Sequence, residues 1–251
     1  MKKELKKERI FGLIGKSLSH SFSRGFFMEK FQKESIKDTQ YELFELDHID
    51  KLEELLKIPN IKGLNVTIPY KEQVISFLDE LSPIAEQIKT VNTIKIDNKK
   101  KRIGYNTDVN GFEVSFKRYL QPYHKKALIL GSGATSKTIA FVLDKLSIEY
   151  LFISRKKKGK NMLPYSEITL ELLKDYLIII NATPLGSYPY IDGLPPIPYS
   201  YIHAKHYLYD LTYNPSLSEF LKKGMQKNAF LKNGLEMLQI QANCAWELWN
   251  S

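Results

Sequence analysis

An apolar run of strand length, Ala127-Leu128-Ile129-Leu130, stops at Gly131-Ser132-Gly133-Ala134-Thr135-Ser136 and gives way to helical spacing as far as Leu146. A buried strand that turns this sharply into a helix calls for a crossover to a parallel neighbour, which restricts the fold more than any other feature of the chain. Gly131 allows the tight turn. Gly133 lets a ligand approach the backbone, where a pyrophosphate can rest on the N–H groups at the helix start. Ser136 is small enough for close helix–strand packing. This is the setting of a dinucleotide-binding turn, although a plain tight β–α turn would use the same glycines.

The rest of the chain keeps this alternation. Residues 10–14 read as a buried strand ending at Gly15, 22–31 as a helix, 41–46 as a strand and 49–56 as helical. Residues 61–68 read as a strand stopped by Pro69, 70–78 as a helix, and 91–96 as a strand that runs into the turn Asp97-Asn98-Lys99. Further strands are expected at 150–153, 177–180 and 207–210, and Leu235, Leu238, Ala242 and Trp246 mark a last amphipathic helix. The alternation predicts an α/β fold in two domains. One is an open, mostly parallel α/β substrate domain at the N-terminus; the other is a Rossmann-type nucleotide-binding domain, with an active-site cleft between them. We expect residues 1–107 plus 234–251 in the first domain and 108–233 in the second.

Composition narrows the function classes. No apolar run approaches the roughly 18 residues that span a bilayer, and the charged start Met1-Lys2-Lys3-Glu4 has no apolar stretch behind it long enough for a signal peptide. The single cysteine, Cys244, excludes a disulfide framework and sits on an apolar helix as an inert core residue. His48, His124, His203 and His206 have no acidic or cysteine companions at metal-ligand spacing, and His20 reads as a structural neighbour, so no metal is expected. A cytoplasmic location fits these features. The net charge of +9 gathers at the extreme N-terminus and at Arg155-Lys156-Lys157-Lys158, without the interleaved aromatics of a single-strand binding groove. Solubility and small anionic ligands explain it better than nucleic acid. The expected partners are therefore small molecules, for a monomer or homodimer.

The strand after the glycine turn identifies the expected nucleotide. For NAD its end should carry an acid to bind the ribose 2′-hydroxyl; here it carries Ser154-Arg155-Lys156. A carboxylate would repel a 2′-phosphate, whereas a guanidinium can hold one with two hydrogen bonds. The reading is NADP. A solvated basic loop is the plain alternative.

Upstream, short polar clusters stand at expected strand ends, where ligands bind in open α/β sheets. They are Ser19-His20-Ser21-Phe22-Ser23, Asn65-Val66-Thr67-Ile68-Pro69-Tyr70-Lys71, Val91-Asn92-Thr93 and Asn106-Thr107-Asp108. Each alone has an ordinary explanation as a cap or a surface residue. In this order, ahead of the nucleotide turn, they resemble the shikimate dehydrogenase family over nearly the whole chain. Asn181-Ala182-Thr183-Pro184-Leu185-Gly186, Tyr209-Asp210-Leu211-Thr212-Tyr213 and Gly234-Leu235-Glu236-Met237-Leu238 continue the series.

The resemblance implies the reversible NADPH-dependent reduction of 3-dehydroshikimate to shikimate in aromatic biosynthesis. It implies Lys71 as proton donor and acceptor, with Asp108 as its partner. Ser21 and Ser23 would hold the substrate carboxylate, Thr67, Asn92 and Gln241 the ring hydroxyls, and Tyr213 would line the site. The cofactor would meet Gly131, Ser132, Gly133, Ala134, Thr135, Ser154, Arg155, Lys156, Thr183, Leu211 and Gly234. Some positions depart from the family pattern. Arg24 replaces a proline, and Ala134-Thr135 replaces a Gly-Ala pair. The glycine usual after the aspartate is displaced to Gly111, and Lys156 stands at a threonine position. Relatives often continue with another helix beyond this chain's Trp249, which leads us to expect packing of the last helix that is looser or is compensated elsewhere. Competing readings are a quinate or dual-specificity dehydrogenase using NAD, and a non-catalytic nucleotide-binding relative.

Overall fold

The computed structural model describes residues 8–19, 21–155, 159 and 161–251. Residues 1–7, His20, Lys156-Lys157-Lys158 and Lys160, which include one expected cofactor residue, Lys156, lie outside the described residues. The chain forms two compact units, Met1–Thr107 with Ala242–Ser251, and Asp108–Gln241.

The first unit contains β1 (Arg9–Gly15), α1 (Ser23–Lys33), β2 (Thr39–Glu45), α2 (Leu52–Leu55), β3 (Ile61–Val66), β4 (Glu80–Leu81), α3 (Pro83–Ile88), β5 (Thr93–Ile96) and β6 (Arg102–Tyr105). Among the described residues these strands form a six-stranded sheet in the order β2-β1-β3-β5-β6-β4. β1 pairs in parallel with β2 and β3, and β4 with β6, whereas β5 runs antiparallel to β3 and β6. The reversal follows from the short connection between β5 and β6, which leaves no room for a crossover. Asp97 Oδ1 closes that turn by accepting the N–H groups of Lys99 and Lys101 at 2.7 and 2.8 Å. Residues 70–78, expected as a helix, form a turn and a 3-10 stretch over Gln73–Phe77. The cause is tethering at both ends. The Lys71 carbonyl accepts the Val91 N–H at 2.8 Å, and Leu78 must be extended again before β4.

Alternating side chains bury both faces of this sheet. Ile14, Leu64, Val66 and Ile94 face one core, with Leu52, Leu55 and Ala85 from α2 and α3. Phe11, Leu13 and Tyr41 face another, with Phe27 and Phe31 from α1 and with Ala242, Ala245 and Trp249 from the last helix. That helix does not pack loosely. The buried Trp249 stacks on Phe11 with ring centroids 4.7 Å apart and donates its Nε1–H to the Ile94 carbonyl at 2.9 Å. Its indole crosses β3 so closely that a Cβ on Gly63 would stand 2.1 Å from Nε1. An aromatic seated this way is worth about 3–5 kcal/mol against alanine.

The second unit contains α4 (Asp108–Phe116), β7 (Lys126–Leu130), α5 (Ala134–Lys145), β8 (Glu149–Ser154), β9 (Met162–Pro164), α6 (Leu170–Asp175), β10 (Ile178–Asn181), β11 (Tyr207–Asp210), α7 (Glu219–Met225), β12 (Phe230–Lys232) and the first part of α8 (Leu235–Asn250). Its six described strands run in the order β12-β11-β10-β7-β8-β9, and each neighbouring pair is parallel. The order winds outward in both directions from β7 and β10, the doubly wound Rossmann arrangement, with its switch point between those two strands. The three-residue edge strands β9 and β12 are too short to show a hydrophobic period, and the sequence pattern did not mark them.

Residues 234–241, expected with the first unit, belong to the second. Gly111 explains this. A Cβ there would lie 2.6 Å from the Met237 carbonyl, so α8 packs directly on α4 over this stretch.

A group of histidines stands at the N-terminal edge of β11. His206 is fully buried; Nδ1 accepts the His203 N–H at 3.2 Å and Nε2 faces the Leu173 carbonyl at 3.1 Å. This network assigns the proton of a neutral ring to Nε2. Burial pushes the His206 imidazole down from 6.5 to about 4, and burial also lowers His124. The unfolded chain therefore binds more protons than the folded one below about pH 6.5, and stability falls as pH drops toward about 4. We expect urea unfolding to show a loss of roughly 2 kcal/mol between about pH 7 and about pH 5, a range where few carboxylates titrate. His206→Gln should remove most of that difference, and equal stability of the unaltered protein at the two pH values would contradict the assignment.

Candidate functional site

In the first unit the expected substrate residues gather along one edge of the sheet. β1 and β3 end there, antiparallel β5 begins there, and β6 ends beside it. Ser21 and Ser23, both half-buried, follow β1; the Ser21 hydroxyl accepts the Ser23 N–H at 3.2 Å, and the Ser21 N–H donates to the Leu18 carbonyl at 2.8 Å. Thr67 and Lys71, also half-buried, follow β3. The Thr67 N–H donates to the Ile14 carbonyl at 2.9 Å, and its methyl approaches Gly15 so closely that a Cβ there would lie 2.6 Å away. Asn92 is buried just before β5.

Behind this edge runs a buried polar network. The Tyr41 hydroxyl donates to Asn65 Oδ1 at 2.8 Å, and Asn65 Nδ2 donates to Thr93 Oγ1 at 3.2 Å. Thr93 Oγ1 lies 3.1 Å from both Asn92 Oδ1 and Thr107 Oγ1. Asn92 then grips Thr107 with both ends of its amide: Nδ2 donates to Oγ1 at 3.0 Å, and Oδ1 accepts the backbone N–H at 2.7 Å. Asn106 Nδ2 is tied to Thr90 Oγ1 at 2.7 Å. The sequence reading quotes Asn65 and Thr93 within motifs but gives them no role, and it takes Tyr41 only as the start of a strand. The available signal was an asparagine inside the otherwise apolar run Gly63-Leu64-Asn65-Val66.

A cavity of about 330 Å³ in this unit is lined by Lys16, Asp47, His48, Ile49, Asp50, Pro69, Tyr70 and Gln73. None of the expected substrate residues lines it.

In the second unit Asp108 is buried at the start of α4. Gln241 is buried on α8, with its Cβ beside Gly111, one turn along α4 from Asp108. Its Nε2 donates to the Leu238 carbonyl at 2.9 Å. Tyr213 is half-buried after β11.

The glycine turn leaves β7 at the switch point. Gly131 has φ +105°, a region nearly closed to other residues, and a Cβ there would stand 3.1 Å from the Ala182 carbonyl oxygen. Gly133 is different. Its φ is −82°, and a Cβ would meet nothing within 4 Å, so protein packing does not require a glycine there. The N-cap of α5 is Gly133, which has no side chain to cap the helix, and the first turn holds no acid. The Ser136 hydroxyl is buried with no hydrogen-bond partner among the described residues. An open backbone cradle, uncapped N–H groups and a spare buried hydroxyl together fit an anionic group of a nucleotide. Ser132 is exposed, and Ala134 and Thr135 are half-buried.

Ser154 and Arg155 follow β8, the first half-buried and the second exposed. Because Ser154 pairs with Pro164, Arg155 and Tyr165 are the next residues out on neighbouring strands. Burial raises the Tyr165 phenol, and the Arg155 charge partly offsets that rise. Thr183 follows β10, and Leu211 follows β11. Gly234 lies against Leu211, where a Cβ would be 2.1 Å from the Leu211 carbonyl oxygen. Among the described residues no three His, Cys, Asp or Glu side chains converge as a metal site, and no helix is long and apolar enough to cross a membrane.

Comparison with known proteins matches this arrangement to one family. The family model described as the shikimate dehydrogenase substrate binding domain matches residues 13–94. The NADP(+) shikimate dehydrogenase of Clostridium beijerinckii is 38% identical over 96% of this chain and 91% of its own length. Shikimate dehydrogenase 1 from Peptoclostridium difficile superposes with a TM-score of 0.85 at 37% identity, over 96% of this chain and 91% of that one. A Thermus thermophilus shikimate 5-dehydrogenase, solved with NADP(H) and shikimate, gives 0.84 at 27% identity, over 96% and 92%.

The two turn glycines should respond differently to substitution. We expect Gly131→Ala to cost about 1–3 kcal/mol in urea unfolding through backbone strain, and Gly133→Ala to stay within about 0.5 kcal/mol. Equal losses would show that Gly133 is held by the protein's own packing.

Proposed function

The chain belongs to the shikimate dehydrogenase family, and on that premise we propose that it catalyses the reversible NADPH-dependent reduction of 3-dehydroshikimate to shikimate, a step of aromatic amino acid (chorismate) biosynthesis. One observation carries the reading: the 38% identity to an NADP(+) shikimate dehydrogenase runs through 96% of the chain. We assign the reaction to the cytoplasm and to a monomer or homodimer that needs no nucleic-acid or membrane partner.

NADP, when bound, supplies or takes up the hydride. We assign its pyrophosphate to Gly131, Ser132, Gly133, Ala134 and Thr135, a choice supported by the open cradle at Gly133 and the uncapped start of α5. We assign the 2′-phosphate to Ser154, Arg155 and Lys156, since a guanidinium suits that group and a carboxylate would repel it. Thr183, Leu211 and Gly234 take the remaining contacts.

On the substrate side, the hydroxyls of Ser21 and Ser23 hold the carboxylate. Thr67, Asn92 and Gln241 hold ring hydroxyls, and Tyr213 lines the site. As the ketone becomes an alcohol, negative charge grows on its oxygen. The Lys71 ammonium stabilises that charge and delivers the proton, and its amine takes the proton back in the reverse direction. Asp108 orients Lys71 and accepts a hydrogen bond from the neighbouring substrate hydroxyl. The Asn92 grip on Thr107 supports this by fixing the backbone from which Asp108 projects.

The test is a steady-state assay of shikimate and quinate oxidation with NADP+ and NAD+. Shikimate with NADP+ should be the best pair in kcat/KM. Equal efficiency with NAD+ would remove the 2′-phosphate assignment, and preference for quinate would remove the substrate. Lys71→Ala should lower kcat by about 10²–10⁴-fold with a modest change in KM for shikimate. Retained turnover would exclude Lys71 as the proton donor.

A further inference from the structure

The second unit buries a carboxylate to which the reaction as described assigns no role. Asp210 ends β11 and is fully inaccessible to solvent. Neutral donors hold it. Oδ1 accepts from Asn181 Nδ2 at 3.0 Å and from the Thr212 N–H at 3.0 Å, and Oδ2 accepts a short hydrogen bond from the Ser218 hydroxyl. Burial pushes the carboxyl above its ordinary range, and these donors pull it back.

The donors arrive from three different segments. Asn181 is the last residue of β10, Thr212 lies in the loop after β11, and Ser218 caps α7 through the Leu221 N–H at 3.3 Å. Two of these segments lead directly to the residues assigned to the cofactor. Asn181 Oδ1 accepts both the N–H and the Oγ1–H of Thr183, at 3.1 and 2.7 Å. Its carbonyl accepts the Leu211 N–H at 3.1 Å. The Thr212 carbonyl accepts the Gly234 N–H at 3.0 Å, and Thr212 Oγ1 pairs with Ser187 Oγ at 2.7 Å. Thr183, Leu211 and Gly234 come from three separate loops, and each is held by Asn181 or Thr212, which Asp210 joins.

We infer that Asp210, acting with Asn181, is a positioning residue that sets the loops carrying Thr183, Leu211 and Gly234 for NADP. A carboxylate suits the role because its two oxygens offer about four acceptor positions, whereas an amide offers one oxygen and two donors. The inference rests on the cofactor reading above, and it predicts a defect in nucleotide binding that exceeds any defect in folding or in substrate binding.

The test compares the unaltered protein with Asp210→Asn and Asp210→Ala in three measurements. NADPH affinity is read by fluorescence titration without substrate, KM for shikimate by steady-state assay, and the fold by thermal unfolding. Asparagine is isosteric. It keeps an acceptor for Asn181 and Thr212 but turns an NH₂ toward Ser218 Oγ, so the Ser218 hydroxyl loses the acceptor for its proton. We expect the NADPH Kd to rise at least threefold in Asp210→Asn and at least tenfold in Asp210→Ala, with KM for shikimate moving by less than half those factors. An unchanged Kd in folded Asp210→Asn overturns the inference, even if the alanine variant fails to fold. Equal losses in NADPH affinity and shikimate KM overturn it too, because they would mark general damage. An unaltered protein that binds NADPH yet oxidises no shikimate would sink the functional reading, while the Kd comparison would still decide the role of Asp210.

Discussion

The parallel pairing of β7 with β10 is the constraint on which the second unit depends. The two strands are far apart in sequence and adjacent in the sheet, with Leu130 in register with Asn181. Beyond that pair the chain leaves in two directions, into the glycine turn and α5 on one side and into the loop at Ala182 on the other. The Ala182 N–H still donates to the Leu130 carbonyl at 2.9 Å, so the two exits separate only after a last shared hydrogen bond. That closeness explains why Gly131 cannot carry a side chain. The two exits diverge at the switch point, the usual location for a ligand in an open α/β sheet.

The two units fix their polar edges by the same means. In each, buried polar residues in a strand or beside its end direct their hydrogen bonds to other segments of the chain: Asn65 and Asn92 in the first unit, Asn181 and Asp210 in the second. Such networks are costly when incomplete and rigid when satisfied. Rigidity is the useful property here, because the proposed proton transfer from Lys71 and the hydride transfer tolerate little error in position. In the first unit the network is backed by aromatic packing. Phe27 stacks on Tyr41 with centroids 4.3 Å apart, one turn of α1 beyond Ser23. The helix that carries a proposed carboxylate ligand is thus seated on the ring whose hydroxyl starts the chain of hydrogen bonds.

How much of this was legible in the sequence depends on how local each cause is. The glycine turn was legible because strand period, turn geometry and helix period are all written within about one β–α unit. The polar clusters were legible as a set, since they recur at strand ends in a recognisable order. The helix expected over 70–78 failed because a hydrogen bond from Val91 to Lys71 and the extended entry to β4 are tertiary demands that override a local pattern. Antiparallel β5 was within reach: the turn Asp97-Asn98-Lys99 is a hairpin signal, and its meaning depended on seeing a strand at Arg102–Tyr105. Asp210 was quoted within a motif but given no work. Its role comes from a register, Asn181 opposite Asp210, which no single stretch of sequence contains.

The division of α8 ties these points to the chemistry. The chain passes between its two units at Thr107–Asp108 and again at Gln241–Ala242. The residues on the second-unit side of both crossings, Asp108 and Gln241, are buried and polar, and both belong to the proposed substrate set. One crossing lies at the start of α4 and the other inside α8. Gly111 then brings α8 onto α4 at the turn after Asp108, which puts the two residues on a pair of helices packed backbone to backbone. A side chain at position 111 would push α8 away and carry Gln241 with it. The glycine three residues after Asp108 is therefore required by helix packing beside the site, which gives a physical reason for its presence at that position.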